Sequence, residues 1–179
     1  MNVPKLNEQQ LKTLFSIDDV LRAESMVGQC YDCTVSGGDL SAKIRGNHGV
    51  YSIKLKTLQE PMAYEGIGED GEAVSGKYFA ALGLTYIYTP WKFKVEGAGL
   101  DRSTISSADD IQLYIALTPL RQLLDELKTK NVPLAAFADM VHVPLQQIHQ
   151  AMNDGDHDVP HTLLGPLKFA CLYMLEKLK

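Results

Sequence analysis

The sequence is short of cysteine, of net charge and of long apolar runs, and each shortage removes a class of protein. Three cysteines in 179 residues are too few, and odd in number, to staple a disulfide scaffold, which points to a reducing compartment. No apolar run approaches the roughly 18 residues needed to cross a bilayer, and the amino-terminal MNVPKLNEQQ has no signal-peptide core. A soluble, cytoplasmic chain without a membrane partner is expected. Fourteen glycines and eight prolines are ordinary for a globular chain, so collagen and low-complexity tails are excluded. A net charge of −5 argues against indiscriminate coating of nucleic acid but leaves room for a local basic patch.

What is present reads as two modules of an α+β protein, which a chain of this length accommodates. Composition shifts once, over residues 97–110, where small and polar side chains replace periodic apolar ones. A linker is placed there, between a domain at 1–96 and a helical domain at 111–179. Upstream, Ser16 offers an N-cap hydroxyl and Asp18 and Asp19 first-turn carboxylates to a short helix, roughly 17–26. Alternating runs at 31–36, 39–45 and 50–56, separated by Gly37-Gly38 and Asn47-His48-Gly49, make a three-stranded antiparallel meander. The alternation sends Leu40, Ala42, Ile44, Tyr51, Ile53 and Leu55 one way and Ser41, Lys43, Arg45, Ser52, Lys54 and Lys56 the other. One face is core and the other cationic. Residues 76–88 are apolar nearly all round, which predicts a buried helix ended by Pro90.

Downstream, Thr118-Pro119 reads as an N-cap followed by proline at the first helical position, with Leu120, Leu123, Leu124 and Leu127 as the apolar stripe. Further helices are expected from Pro133 to about Val141, from Pro144 to about Met152, and from Pro160 to Lys179.

Chemical motifs are present but incomplete. Gly71-Glu72-Ala73-Val74-Ser75-Gly76-Lys77 has P-loop spacing, yet Tyr78 stands where magnesium needs a hydroxyl, and Glu69, Asp70 and Glu72 repel a triphosphate. Gly66-x-Gly68-x-x-Gly71 fails as a dinucleotide fingerprint because no helix begins where it must. Cys30 and Cys33 have zinc or dithiol spacing, but Cys171 is the only further cysteine, and positions 30 and 33 share a side only if the strand begins after Cys30. His142, His149, His157 and His161 lie within twenty residues, with Asp154, Asp156 and Asp158 between them, in what reads as a polar connector. No Ser, Cys or Thr has a nucleophile context. Neither an enzyme, a metal site nor a cofactor is expected.

Ala138, His142, Val143 and Ile148 have the spacing of a helix-turn-helix: a small residue for close approach, a turn residue four on, and apolar residues returning to the core. This segment, with helices near 118–130 and 161–178, resembles the repressor-type helix-turn-helix family. It departs at the turn, where the family prefers glycine and His142 must adopt a positive φ. The resemblance implies a recognition helix at 144–153, with base and phosphate contacts on Gln146, Gln147, His149, Gln150 and Asn153. Gln and Asn pair bidentately with adenine in the major groove. From Asp109 to Lys179, however, six Lys and Arg stand against nine Asp and Glu, so counterion release is poorly served.

The order of helix, meander, loop and the helix opening Gly76-Lys77-Tyr78-Phe79-Ala80-Ala81-Leu82 is similar to the SWIM domain over residues 15–92. That family's zinc ligands would fall near Met62 and Tyr64 and at Gly76 and Tyr78, so all four are missing. A ligandless version must compensate by packing, and Tyr64, Tyr78, Phe79, Tyr86, Tyr88 and Trp91 are available for it. The resemblance implies binding of DNA or protein in larger assemblies.

The combined expectation is a non-enzymatic nucleic-acid-binding or regulatory protein, with phosphates met by Lys43, Arg45, Lys54 and Lys56 and bases by helix 144–153. The rival is an adaptor that uses the same surfaces for a protein partner or a homodimer. The first expectation gives way to the second if neighbouring carboxylates mask the four cationic tips.

Overall fold

Ser16 caps its helix as its position predicts, its Oγ accepting the Asp19 N–H at 3.1 Å. The helix it opens runs Ile17–Glu24, ending slightly short of the expected 26. The computed structural model describes residues 3–96, 100–154, 156 and 159–178. They are α+β, with five strands and eight α-helices among the described residues. The chain divides into compact units at 1–106 and 107–179.

In the first unit, α1 (Glu8–Leu14) and α2 (Ile17–Glu24) precede β1 (Tyr31–Ser36), β2 (Asp39–Gly46), β3 (Gly49–Lys56) and β4 (Ala63–Ile67); α3 (Gly76–Tyr88) and β5 (Lys94–Glu96) follow. The expected three-stranded meander forms at the expected places, but the sheet has five strands in the order β4-β3-β2-β1-β5. Strand β4 adds antiparallel to β3, and β5 adds parallel to β1. Both additions are short, and β4 is largely exposed, so neither carries the half-buried alternation that marks a strand in sequence.

The core face is as the alternation sorts it: Leu40, Ala42, Ile44, Tyr51, Ile53 and Leu55 are all buried, and α3 packs across β2 and β3. Helix α3 is buried continuously from Tyr78 to Tyr86. Aromatic rings fill the space beneath the sheet. Tyr64 lies 4.8 Å from Phe79 and 5.1 Å from Phe15, Tyr51 meets Tyr78 edge-on at 4.9 Å, and Tyr86 meets Phe93 at 5.1 Å. Such pairs contribute on the order of 1 kcal/mol each beyond the area they bury. Trp91 and Tyr88 remain partly exposed.

In the second unit, α4 (Ala108–Leu117), α5 (Leu120–Thr129), α6 (Leu134–Met140), α7 (Leu145–Asp154) and α8 (His161–Lys177) form a bundle in which α5 packs on α7 and α8. Two expectations are corrected here. The linker does not reach 110: Ser107 and Asp110 form a reciprocal capping box that starts α4, while Gly97, Ala98 and Gly99 lie outside the described residues. Nor is Thr118 the cap of α5. It ends α4, Pro119 takes the cap position, and the Leu120 N–H is met instead by Asp156 Oδ1 at 3.0 Å. The stripe Leu120, Leu123, Leu124 and Leu127 is fully buried.

Candidate macromolecular contact surfaces

The outer sheet face is built by the register of β2 on β3, which sets Ser41 opposite Lys54, Lys43 opposite Ser52 and Arg45 opposite Val50. The four expected cations therefore share one face. They are not free charges. Lys43 Nζ lies 3.0 Å from Asp32 Oδ2, Lys54 Nζ 3.0 Å from Asp39 Oδ2, and Lys56 Nζ 2.8 Å from Glu65 Oε2. Among the described residues only Arg45 of the four has no ion pair. The carboxylates of Asp32 and Asp39, through hydrogen bonds, hold the Lys43 and Lys54 ammoniums above their ordinary range. A face that would carry four positive charges is left with an excess of about one at long range.

Asp32 reaches Lys43 because β1 bulges: the register shifts between Tyr31 and Thr34, and Asp32 sits at φ 50°. The same bulge turns Cys33 inward. Cys30 precedes the strand, and both thiols are buried and unbridged. Burial, reinforced by the neighbouring Cys30, pushes the Cys33 thiol up to about 12. Protonated buried thiols are poor nucleophiles and poor ligands, and no group of three or more metal-ligating side chains occurs among the described residues. Of the histidine-aspartate connector, His157 and Asp158 lie outside the described residues.

The glycine-rich loop runs into α3 beside a carboxylate. A Cβ on Gly76, at the start of α3, would lie 2.7 Å from Asp19 Oδ2, so a carboxylate already stands at the helix end where an anion would bind. Lys77 Nζ lies over its neighbour's ring, 4.9 Å from the Tyr78 centroid.

In the helical unit, α6 and α7 meet through a turn in which His142 has φ 54°, the left-handed conformation that the spacing demanded. The His142 N–H donates to Asp139 O at 3.3 Å and the Val143 N–H to Ala138 O at 3.1 Å, closing the end of α6. Ala138, Ile148 and Ala151 are buried. Val143, expected in the core, is only half-buried. Gln146, Gln147, His149, Gln150 and Asn153 are all exposed. Helix α7 carries no Lys or Arg. A cavity of about 240 Å³ borders it, lined by Gln147, Gln150, Ala151, Val159, Pro160 and Leu163.

Two groups escaped the sequence reading. Lys168, on α8, is 1% exposed; its Nζ lies 2.5 Å from Asp156 Oδ2 and donates to Ile115 O at 3.1 Å. A lysine midway along the apolar stretch 163–175 was the available signal. The other is the full extent of an acidic run of which only Glu69, Asp70 and Glu72 stood out: from Glu60 to Glu72 it encloses β4 and holds five carboxylates and no Lys or Arg. No helix among the described residues is long and apolar enough to cross a membrane. No protein-family model, curated protein or solved structure matches the chain.

Proposed function

We propose that this chain is a non-enzymatic interaction adaptor that docks a protein, or a second copy of itself, on the exposed face of α7. In this reading the first unit is a degenerate, metal-free relative of the SWIM domain and the second a helix-turn-helix-like scaffold. One observation carries it: the carboxylates Asp32, Asp39 and Glu65 answer Lys43, Lys54 and Lys56, while α7 contributes no cation. A duplex binder draws its affinity from roughly six to ten phosphate contacts, each releasing counterions. Unit 107–179 has a balance of −3, and one of its cations, Lys168, is buried in an ion pair. The face of α7 reads partners by amide and imidazole hydrogen bonds, beside a small cavity, rather than by charge.

A second reading, direct DNA recognition, is favoured by the α6–α7 turn. His142 holds the positive φ such a turn needs, and the five exposed polar side chains suit base edges. Two measurements separate the readings. Fluorescence anisotropy at low salt with a random-sequence duplex pool should show no saturable binding. Saturable binding that weakens steeply with salt, and is lost in Lys43→Glu with Lys54→Glu, replaces the adaptor with the DNA reader. A photo-crosslinking residue at Gln147 or Gln150 of the full chain, against a control at Lys130, should give a discrete protein adduct from the α7 positions alone. A nucleic-acid adduct, or no adduct from either position, overturns the adaptor.

A further inference from the structure

Strand β4 is an edge strand paired only with β3. Among the described residues, its outward backbone N–H and C=O groups have no backbone partner. Its side chains are open as well, with Tyr64 47% and Ile67 62% exposed. Natural edges are usually blunted with lysine, proline or a bulge. Between Ala63 and Ile67 there is no lysine, proline or bulge, and the one charge, Glu65, is paired with Lys56; the residues are Ala, Tyr, Glu, Gly and Ile, in unbroken register with β3 from Lys56 to Ser52.

The surrounding charge has one sign. Glu60 precedes the strand, Glu65 lies in it, and Glu69, Asp70 and Glu72 follow, with no Lys or Arg from Thr57 to Gly76. Of these five carboxylates only Glu65 has an ion pair among the described residues. A second β4 laid on this edge would bring carboxylate against carboxylate, and like charges on adjacent strands are destabilising. An extended basic segment meets the opposite sign at both ends of the strand, from Glu60 before it and Glu69, Asp70 and Glu72 after it, and at Glu65 it competes with Lys56.

The two sides of β4 differ. Tyr64 points to the core side, its ring against Phe15 and Phe79. Glu65 and Ile67 point outward and border a hollow of about 520 Å³ on the sheet's outer face, with Ser41, Ser52 and Asp32 among its lining. Lys43 and Lys54 also line it, but each is held by its own aspartate. A strand added beside β4 alternates in the same way. Its inward side chains meet the Tyr64 ring, and its outward ones meet Glu65 and the hollow.

We infer that the open edge of β4 is a docking site for an extended basic peptide segment, added as a sixth strand, with basic side chains on the outer face and apolar ones beside Tyr64. Main-chain hydrogen bonds supply the affinity and the alternating side chains the selectivity. This goes beyond the α7 proposal and holds whichever partner α7 takes.

The probe is an acetylated, amidated octapeptide of alternating Lys and Val, titrated by anisotropy against the full-length chain at low ionic strength. Saturable binding is expected, weakened about tenfold or more when alternate backbone amides of the peptide are N-methylated, or when Glu replaces Lys. Hydrogen exchange should show new protection at residues 63–67 and none at α7. Glu65→Lys with Asp70→Lys should weaken binding similarly; should that variant fail to fold, the N-methylated peptide tests the native chain. No binding, equal binding of the N-methylated peptide, or protection elsewhere overturns the inference.

Discussion

Single residues set the two most exacting features of the helical unit. His142 holds φ 54° in the α6–α7 turn, a conformation that costs an ordinary L-residue roughly 1–2 kcal/mol. Glycine relieves that strain but adds freedom to the unfolded chain. His142→Gly should therefore stabilise the unit by a net of about 0.5 kcal/mol, read as a higher urea midpoint at unchanged slope. Asn131, at φ 60°, is a residue type that tolerates this region and should gain less. The Lys168–Asp156 pair is the opposite case. Lys168 is sealed inside the bundle, so Asp156→Ala should cost on the order of 3–5 kcal/mol by leaving a buried charge unanswered. Lys168→Met with Asp156→Asn should cost much less, because nothing charged is left inside. Thermal denaturation of the two variants decides whether charge or packing governs the site.

At the scale of elements, the meander and α5 were legible because each buries one face and so writes its period into the chain, α3 because it is apolar nearly all round, and α6 through α8 because a proline marks each start. The β2 and β3 faces divide as their alternation demands, and the leucines at 120, 123, 124 and 127 are all buried. Helix α4 was missed because its first residues, Ala108-Asp109-Asp110, look like linker; the Ser107–Asp110 capping pair was the signal that would have found it. The five polar positions of α7 were legible as an exposed face. The masking of the basic face was not, because Asp32 reaches Lys43 only through a bulge, and Asp39 and Glu65 reach their lysines across strands. The α7 geometry yields its own prediction. If charge rather than shape limits DNA binding, Gln146→Lys with Asn153→Lys should create salt-sensitive, sequence-independent duplex affinity, measured by anisotropy. Unchanged behaviour would place the defect in how the helix is presented.

For the whole molecule, the buried thiols fix how the two units respond to alkali. Burial pushes Cys33 in the first unit and Cys171 in the second up to about 12, from an ordinary 9.0. Between these values the folded chain keeps protons that the unfolded chain releases, so stability falls as pH rises above 9 and continues to fall toward 12. Chemical denaturation from pH 8 to 10.5 should show midpoints dropping, and Cys171→Ala should flatten the drop for residues 107–179 alone. A coincident loss in that variant would mean that the units do not melt separately.

Asp156 stands two residues beyond the end of α7, yet it also holds the first free amide of α5 and the sealed ammonium of α8. Whatever seizes the exposed helix and shifts its exit is therefore tugging on a knot tied at the centre of the bundle. A displacement there would reach the α5 amide and the α8 ammonium together, through this one carboxylate.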